Sequence, residues 1–425
     1  MKTEFIKDIL KKSYVGKKVT VSGWVYRKRE MKDKIFLVIR DSSNIIQAVI
    51  DSNSKSWKNA QKITIESSLK LSGKLAEDKR APTGFEIKTQ NIEIIGLAER
   101  FPISKDLSTE FLMDVRHLAL RGIKQTAILK LRSSMFKAFH DFFDKHNFIE
   151  AEAPTFISEG SEGGSEVFQV KYFDKKAYLT QSWQFYAENL IHCFENVYAL
   201  APSFRAEKSS TNRHLTEFWH LEVESAWADL KDIMNLTESC ISSVINRFLK
   251  KNKHELEVVG VDLKFLQSLK PPYKKMTYST AIKQLQKHGF KIKEGDDFGA
   301  PHEKYLAKDG PVFITNYPLK ILKFYHGEDS KRKGYGTNFN LLFPNTGEVV
   351  DGSQRESDLT KIKERLKKAK INLGNSDWYL DSRRYGAVPH SGFGLGTERL
   401  LQSLLNLEHI RDTLPFPRFM NRIKP

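Results

Sequence analysis

The stretch FRAEKSSTNRHLTEFWHLEVESAW, residues 204–227, decides how most of this chain is interpreted. It predicts a strand that carries Arg205 and Glu207, a polar loop, and a second strand that returns beside the first. Glu222 and Glu224 lie two positions apart on the second strand, so both side chains face the same side of a sheet. Two carboxylates on one face repel each other unless cations or hydrogen-bond donors neutralise them. The hairpin therefore predicts a polar site on the sheet.

A second informative stretch, GFGLGTERLL, occupies residues 392–401. Glycines at alternate positions let a ligand or another backbone come close. The residues after them predict an amphipathic helix with Thr397 as its N-terminal cap. Arg399 lies in the first turn, where its guanidinium is well placed to bind a phosphate through two hydrogen bonds. The glycine spacing and the position late in the chain exclude a dinucleotide-binding fold.

Length and composition exclude several other classes of protein. The chain has 425 residues, of which 40% are hydrophobic and 28% charged, which is typical of folded domains and not of disordered or collagen-like chains. No apolar run approaches the ~20 residues that cross a bilayer, and charges interrupt residues 1–18, so we expect a cytoplasmic protein without membrane contact. Cys193 and Cys240 form no C-x-x-C pattern, and we expect neither a disulfide framework nor a cysteine zinc site.

Basic charge is concentrated in the first quarter of the chain. Residues 1–100 carry +9 of the net charge of +17, which favours a nucleic-acid partner over a lysine-rich surface kept for solubility. The same region predicts about five strands and one helix, typical of a small oligonucleotide-binding (OB) barrel that holds single strands on aromatic and basic side chains. Judged from this segment alone, however, Trp24 and Phe36 are better interpreted as core residues than as nucleic-acid-binding residues. Its candidate binding residues are Trp24, Tyr26, Arg27, Lys28, Arg29 and Phe36.

The rest of the chain has a different pattern. Residues 101–125 lack a clear period and predict a linker, whereas residues 127–146 predict a long helix, followed by an extended segment with Pro154. Strands and helices then alternate irregularly, which predicts an α+β domain. We therefore expect a five-stranded OB-fold β-barrel at 1–100, a linker, and a domain at 126–425 built on an antiparallel sheet flanked by helices.

Together these stretches resemble the class II aminoacyl-tRNA synthetases. FRAE followed by RHLTEF is similar to the second signature of that class, GFGLGTERLL to the third, and Pro154 after the long helix to the first. In the predicted barrel, GWVYRKRE, IFLVIRD and IIQAVI resemble the anticodon-binding barrel of the subgroup that serves aspartate, asparagine and lysine. The resemblance covers nearly the whole chain. It implies an anticodon-binding barrel and a class II catalytic domain, and it reverses the preference for Phe36 as a core residue.

The resemblance also implies roles for individual residues. In this family the amino-acid carboxylate attacks the α-phosphate of ATP, so catalysis needs alignment and charge neutralisation, and no protein nucleophile. Arg205 would hold the α-phosphate, and Arg205 and Arg399 would be the catalytic residues. By ligand, the implied set is Glu207, Arg213, His214, Phe218, Glu348 and Arg399 for ATP; Glu162, Gln184, Glu222 and Arg355 for the amino acid; Arg29, Phe36 and Gln47 for the anticodon; and Glu348 for the Mg²⁺ that accompanies ATP.

The pocket residues favour asparagine over aspartate as the substrate. Aspartate enzymes of the subgroup have a lysine at the position of Ala187 and an aspartate at that of Glu222. Without that lysine, an incoming aspartate carboxylate would lie near Glu222 with little compensation. Asparagine can instead donate its amide hydrogens to Glu222 and accept from Arg355. We therefore expect a homodimer that joins L-asparagine to tRNA(Asn) with ATP, its interface including the helix and strand of the first signature.

Two residues depart from the pattern of the subgroup. Asn340 replaces an aspartate that helps Glu348 to hold magnesium, and an amide oxygen is a weaker ligand for this cation. Asp351 replaces a usual glycine, either as a compensating carboxylate or as an ordinary turn residue. Three other functions stay open: a non-discriminating aspartyl-tRNA synthetase, an ammonia-using asparagine synthetase, which the predicted barrel argues against, and a non-catalytic RNA-binding paralogue, which the retained ATP-site residues argue against.

Overall fold

The computed structural model of the chain describes residues 4–104, 107–158, 167–208, 213–371 and 373–425. Contacts divide the chain into two units, Met1–Leu112 and Met113–Pro425. None of the helices within these described ranges is long and apolar enough to cross a membrane.

The first unit contains a closed five-stranded barrel, as predicted. Around the barrel the strands follow the order β1-β2-β3-β5-β4. Apolar side chains at alternate strand positions fill the interior, with Val21, Leu37 and Ile46 almost fully buried. The elements are α1 (Ile6–Ile9), β1 (Lys18–Glu30), β2 (Lys34–Arg40), β3 (Ile45–Asp51), α2 (Trp57–Lys62), β4 (Ser68–Glu77) and β5 (Phe85–Gly96).

A bulge in β1 turns its basic residues outward. The register between β1 and β2 shifts between Val25 and Arg27. Val25 is fully buried in the barrel interior, whereas Arg27 and Arg29 beyond the bulge are exposed. The strand therefore presents cationic side chains on the outer face of the barrel.

The second unit is built on an eight-stranded sheet in the order β12-β13-β14-β15-β16-β11-β10-β6, beside a small sheet β7-β9-β8. Its elements are α3 (Thr109–Asp114), α4 (Arg116–Ala119), α5 (Ile123–Lys145), β6 (Ile149–Glu150), β7 (Phe156–Ile157), β8 (Gln169–Tyr172), β9 (Lys175–Leu179), α6 (Gln184–Phe194), β10 (Asn196–Phe204), β11 (Glu217–Ala226), α7 (Leu230–Lys251), α8 (Lys253–Val259), α9 (Leu263–Ser268), β12 (Lys274–Thr277), α10 (Tyr278–Lys287), α11 (Ala300–Leu306), β13 (Val312–Thr315), β14 (Asn338–Phe343), β15 (Gly347–Gln354), α12 (Leu359–Ala369), α13 (Asp381–Arg384), β16 (His390–Gly396) and α14 (Thr397–Leu404). Strands β6 and β10, like β12 and β13, pair in parallel. The central pairs are antiparallel, which confirms the predicted sheet.

The two faces of the central strands differ in chemistry. On β11, Leu221 and Val223 belong to a core that also contains apolar residues of α5 and α7. Glu222 and Glu224 alternate with them and therefore lie on the opposite face. Helices α5 and α7 cover the apolar side of the sheet, and the polar side carries the site described below.

Helix α14 begins differently from the prediction. Strand β16 continues through Gly396, which is the N-cap residue, and Thr397 is the first helical residue. The prediction of Thr397 as the cap was wrong, because the helix begins one residue earlier than the sequence indicated. Arg399 still lies in the first turn of the helix.

Candidate active site

A cavity of about 390 Å³ lies over the polar face of the large sheet. Four neighbouring strands contribute residues that lie opposite one another in register: Asn340 on β14, Asp351 on β15, Gly394 on β16 and Glu222 on β11. Among the described residues, apart from the chain neighbours of Gly394, no atom lies within 4 Å of the position that a Cβ of this glycine would occupy. The glycine therefore leaves open space between two polar strands, where a ligand can lie against the backbone.

Glu222 is a buried carboxylate that the protein keeps ionised. Ser182 Oγ donates to Glu222 Oε2 at 2.5 Å, and the backbone N–H of Trp183 donates to Oε1 at 2.9 Å. His220 Nδ1 lies 3.4 Å from the same Oε1. Burial alone would raise the pKa of Glu222, but interactions with His220, Ser182 and the Trp183 N–H together lower it below its usual value. Glu222 is therefore a hydrogen-bond acceptor in the cavity.

Glu224 neutralises Arg355 inside the protein. Arg355 Nε donates to Glu224 Oε1 at 3.1 Å, and Nη2 donates to Oε2 at 3.0 Å. Arg355 Nη1 donates to Ser353 Oγ at 3.0 Å, and the arginine is only 7% exposed. Burial disfavours the charged guanidinium, but Glu224 and Glu188 outweigh this effect and raise the pKa of Arg355. The cavity therefore contains an oriented guanidinium whose charge is already balanced.

Gln184 is held by a buried network behind the cavity. Its Nε2 donates to Glu188 Oε1 at 2.8 Å, one turn further along α6. Glu188 also accepts from Tyr379 Oη at 2.9 Å and from Arg383, and it lies 3.1 Å from His390 Nε2. Sequence reasoning missed this network because its members come from distant segments that carry no motif.

The other end of the cavity is rich in arginine. Arg205 Cζ lies 5.5 Å from the centroid of the Phe218 ring, and Arg205 Nη1 lies 4.0 Å from Glu207 Oε1. Arg399 Nη1 donates to the backbone carbonyl of Glu348 at 3.0 Å. These cations beside an aromatic face suit a ligand that combines anionic groups with a planar ring.

Arg213 and His214 extend the cationic end. Arg213 donates to Glu303 and, at 3.3 Å, to the carbonyl of Thr346. Burial, with Arg399 and Arg213 nearby, lowers the pKa of His214 and favours its neutral form. Sequence reasoning missed Glu303, which lies on α11 with no local signature. Burial and Glu348 raise the pKa of Glu303, although Arg213 opposes this effect.

The structure brings most of the predicted site residues together. Glu162 lies outside the described residues. Asp351 lies inside β15, so its interpretation as a turn residue was wrong; strand pairing on both sides holds it extended opposite Asn340. The predicted residues that line this same cavity are Gln184, Arg205, Glu207, Arg213, His214, Phe218, Glu222, Glu348, Arg355 and Arg399.

The predicted anticodon residues lie on the outer face of the barrel. Phe36 is half-buried between the inward-facing Ile35 and Leu37, and it pairs in register with Arg29. Gln47 Nε2 donates to Glu86 Oε2 at 3.1 Å. Trp24 is 46% exposed, so the alternative that placed it in the core was wrong.

Comparison with known proteins agrees with this geometry. A family model for class II tRNA synthetases (D, K and N) matches residues 108–420, and a model for an OB-fold nucleic acid binding domain matches residues 19–95. The chain therefore belongs to the class II tRNA synthetase family, and the fold and family predicted from its sequence are confirmed.

Within this family the chain belongs with the asparagine–tRNA ligases. It is 41% identical to the enzyme of that name from Thermoplasma acidophilum over 99% of both chains. It is 44% identical to the one from Thermococcus kodakarensis over 96% of both chains. The crystal structure of asparaginyl-tRNA synthetase from Pyrococcus horikoshii complexed with asparaginyl-adenylate covers 100% of both chains, with 42% identity and a TM-score of 0.96.

Proposed function

We propose that the chain activates L-asparagine with ATP, forms asparaginyl-adenylate and pyrophosphate, and transfers asparagine to the 3′-terminal ribose of tRNA(Asn). The observation that carries this proposal is the pairing of Arg355 with Glu224 beside an ionised Glu222. The pocket therefore offers a donor and an acceptor without an unbalanced positive charge. The full-length similarity to asparagine–tRNA ligases supports the same conclusion.

Selection of asparagine follows from hydrogen-bond chemistry. The side-chain amide donates to Glu222 and accepts from Arg355, whereas an aspartate carboxylate would repel Glu222. Ala187 lies buried on α6 and supplies no cation to offset that repulsion. Gln184, held by Glu188, lines the same end of the cavity and is proposed to orient the amino acid.

ATP would occupy the arginine-rich end of the cavity. Arg205 is proposed to bind the α-phosphate, and Phe218 and Arg399 to hold adenine between them. Glu207 would read the adenine amino edge, and Arg213 and His214 would meet the outer phosphates. Carboxylates already orient two of these arginines, Arg213 through Glu303 and Arg399 through Glu348. Catalysis by this set is alignment of the attacking carboxylate and stabilisation of charge at the α-phosphate.

Magnesium would bind with ATP beside Glu348. Among the described residues, no group of three or more His, Cys, Asp or Glu is arranged to hold a metal ion. The donor set nevertheless suits a hard cation that keeps several waters and binds through phosphates. Carboxylates at Glu348 and Asp351 line the cavity, and Asn340 Nδ2 donates to Glu348 Oε2 at 2.7 Å. We propose that Asp351 supplies the second carboxylate. The ion would neutralise charge on the phosphates.

The barrel would recognise the anticodon. Arg29, Phe36 and Gln47 are proposed to contact its bases through a cation, an aromatic face and an amide. Accordingly, residues 1–100 are proposed as the anticodon-binding domain, 101–125 as the linker and 126–425 as the catalytic domain. As a translation enzyme, the protein would act in the cytoplasm, which cell fractionation with a specific antibody would test.

A homodimer is proposed through the helix and strand that follow the linker. Ile149 and Phe156 in the extended segment after α5 are 46% and 53% exposed, and a second copy could bury them. Light scattering should then give twice the chain mass of 49.0 kDa. A monomer mass at micromolar concentration would contradict the proposal.

Amino-acid-dependent exchange of pyrophosphate into ATP tests the activity directly. The purified chain should support exchange with asparagine at least about 100-fold more efficiently than with aspartate, a ratio within reach of a pocket that hydrogen-bonds its substrate. Exchange with aspartate exceeding that with asparagine would identify an aspartate enzyme. Binding of tRNA without any exchange would identify a non-catalytic paralogue.

A further inference from the structure

His220 lies between two residues to which the proposed function assigns ligands, and that function gives it no role of its own. Phe218, His220 and Glu222 occupy alternate positions of β11, so their side chains share the face of the sheet that carries the cavity. The rings of Phe218 and His220 meet edge to face, with 4.8 Å between their centroids. The His220 side chain is 14% exposed and lines the cavity. The imidazole therefore lies between the proposed adenine and amino-acid positions.

The imidazole is held against the carboxylate of Glu222 through Nδ1. This nitrogen lies 3.2 Å from Ser203 Oγ on β10 and 3.4 Å from Glu222 Oε1. An imidazole can present Nδ1–H to a neighbour in its charged form and in one of its two neutral tautomers. An ionised carboxylate favours those forms, because it accepts hydrogen bonds and donates none. His220 is therefore a donor to Glu222, and contact with Ser203 limits rotation of the ring.

The strands on either side of β11 place no charge directly opposite Glu222. Its register partners are Ala199 on β10 and Gly394 on β16. Asp351 lies one strand further away, opposite Gly394 on β15. The neighbouring strands therefore supply no cation that could take the place of His220 at these register positions.

Two further carboxylates on the polar side of the sheet have cations of their own. Glu224, two residues along the same face of β11, pairs with Arg355. Glu188 of α6 pairs with Arg383. Because these arginines are matched by their own carboxylates, they add little to the stabilisation of an ionised Glu222.

Burial opposes the ionisation of Glu222, and His220 is the strongest influence in the other direction. Burial raises the pKa of Glu222, whereas interaction with His220, followed by the donors Ser182 and the Trp183 N–H, lowers it below its usual value. Loss of the imidazole would shift this side chain toward its protonated form. A protonated Glu222 can donate a hydrogen bond, whereas the ionised group only accepts. The protonation state of Glu222 thus decides which ligand group it can meet.

We propose that His220 is a positioning residue that keeps Glu222 a hydrogen-bond acceptor and thereby excludes aspartate from the amino-acid site. The proposal rests on the function proposed above, in which Glu222 accepts from the side-chain amide of asparagine. Aspartate can occupy the same position only if its carboxylate and Glu222 share a proton, because two like charges at hydrogen-bond distance repel each other. His220 disfavours a proton on Glu222. Aspartate is therefore rejected by the ionisation state of Glu222, which His220 sets.

Two substitutions of His220 separate its donor from its ring. His220→Phe keeps a ring beside Phe218 and removes Nδ1, whereas His220→Asn keeps a donor at the δ position. In pyrophosphate exchange near neutral pH, His220→Phe should raise kcat/KM for aspartate about tenfold, the worth of one hydrogen bond to a charged group. His220→Asn should keep the wild-type preference for asparagine to within about threefold, because a donor is restored. Ser203→Ala is the control: it leaves the donor to Glu222 in place and should also keep that preference.

The pH dependence of the preference distinguishes this role from a merely structural one. Because the lowered pKa leaves Glu222 ionised near neutral pH, aspartate must bind together with one proton from solution. The ratio of kcat/KM for asparagine to that for aspartate should therefore rise about tenfold per pH unit between about pH 6 and 8, in wild type and in His220→Phe. Groups that affect both substrates alike cancel in this ratio. Glu222→Gln always has an amide hydrogen to donate, so its ratio should not change with pH.

Two outcomes would overturn the role of His220. One is a folded His220→Phe protein that prefers asparagine as strongly as wild type does. The other is a wild-type ratio that does not change with pH, because rejection of aspartate would then not depend on a proton at Glu222. Should His220→Phe fail to fold, His220→Met carries the same expectation of a raised kcat/KM for aspartate, since it also lacks a donor. A wild-type chain that activates no asparagine would instead refute the proposed function itself.

Discussion

The cavity of the catalytic unit and the outer face of the barrel present their binding groups in opposite ways. In the cavity, Arg355 is 7% exposed and paired with Glu224. On the barrel, Trp24 is 46% exposed, and Arg29 lies in solvent beside the half-buried Phe36. A buried charge such as that of Arg355 needs a partner within the protein whether or not a ligand is bound. An exposed charge is stabilised by water in the absence of its ligand. The proposed selection of the substrate in the cavity is therefore coupled to stability, and the proposed recognition of the anticodon on the barrel is not.

Removal of Arg355 should have the largest effect and would break the comparison most directly. Arg355→Met leaves Glu224 buried without its cation, which should lower the free energy of unfolding of the catalytic unit by about 3–5 kcal/mol. The matched change on the barrel, Arg29→Met, should alter stability by less than about 0.5 kcal/mol. Urea unfolding followed by tryptophan fluorescence measures both.

A second variant separates lost charge balance from lost packing. Arg355→Met combined with Glu224→Leu removes the unpaired carboxylate and should recover much of the lost stability. Asparagine-dependent exchange should stay absent in the double variant, because the donor to the substrate is still missing. Equal destabilisation by Arg355→Met and Arg29→Met would show that burial does not distinguish the two regions.

On the barrel, Phe36→Ala should weaken tRNA binding without affecting the cavity. Stacking of a base on an aromatic ring is worth about 1–3 kcal/mol, so the KM for tRNA(Asn) in aminoacylation should rise roughly 5–150-fold. Pyrophosphate exchange, which needs no tRNA, should keep the wild-type rate. Ile95→Ala is the control, since Ile95 is an exposed apolar residue of β5 outside the proposed anticodon set. A fall in exchange with Phe36→Ala would contradict the separation of the two regions.

The sequence predicts the two regions unequally well. The short strands and the turn residues between them predicted the barrel, because strand composition and turn signals are local properties. The segment alone favoured a core position for Phe36, and only the family resemblance placed this residue on the binding surface. The hairpin of β10 and β11 likewise placed Glu222 and Glu224 on one face. The partners of the cavity residues were not predictable in this way. Glu188 pairs with Arg383 across 195 positions of sequence, and nothing near either residue indicates the other.

Asp351 shows how tertiary pairing overrides local chemistry. The sequence DGS at 351–353 is typical of a turn, yet β14 and β16 pair with both sides of β15 and hold these residues extended. The register that results puts Asp351 opposite Asn340, and no single-strand pattern could predict that pairing. A carboxylate therefore faces the cavity one strand away from the position where the subgroup usually has it.

The smallest expected effect concerns the exposed carboxylate of Asp351. This residue lines the cavity of the catalytic unit, yet it is exposed like the binding residues of the barrel. It therefore tests whether burial, and not location in the cavity, couples binding to stability. Asp351→Asn should leave stability within about 0.5 kcal/mol of wild type. A charge at a partly solvated site contributes about 1 kcal/mol, so the Mg²⁺ concentration that half-saturates ATP binding, measured by calorimetry without amino acid, should rise about fivefold. Asn340→Asp combined with Asp351→Asn moves the carboxylate to the facing strand and should restore the wild-type magnesium dependence. Identical magnesium dependence in the wild type and both variants would refute a role for Asp351 with the metal. A lower free energy of unfolding in Asp351→Asn would show that even an exposed binding residue of the cavity contributes to stability.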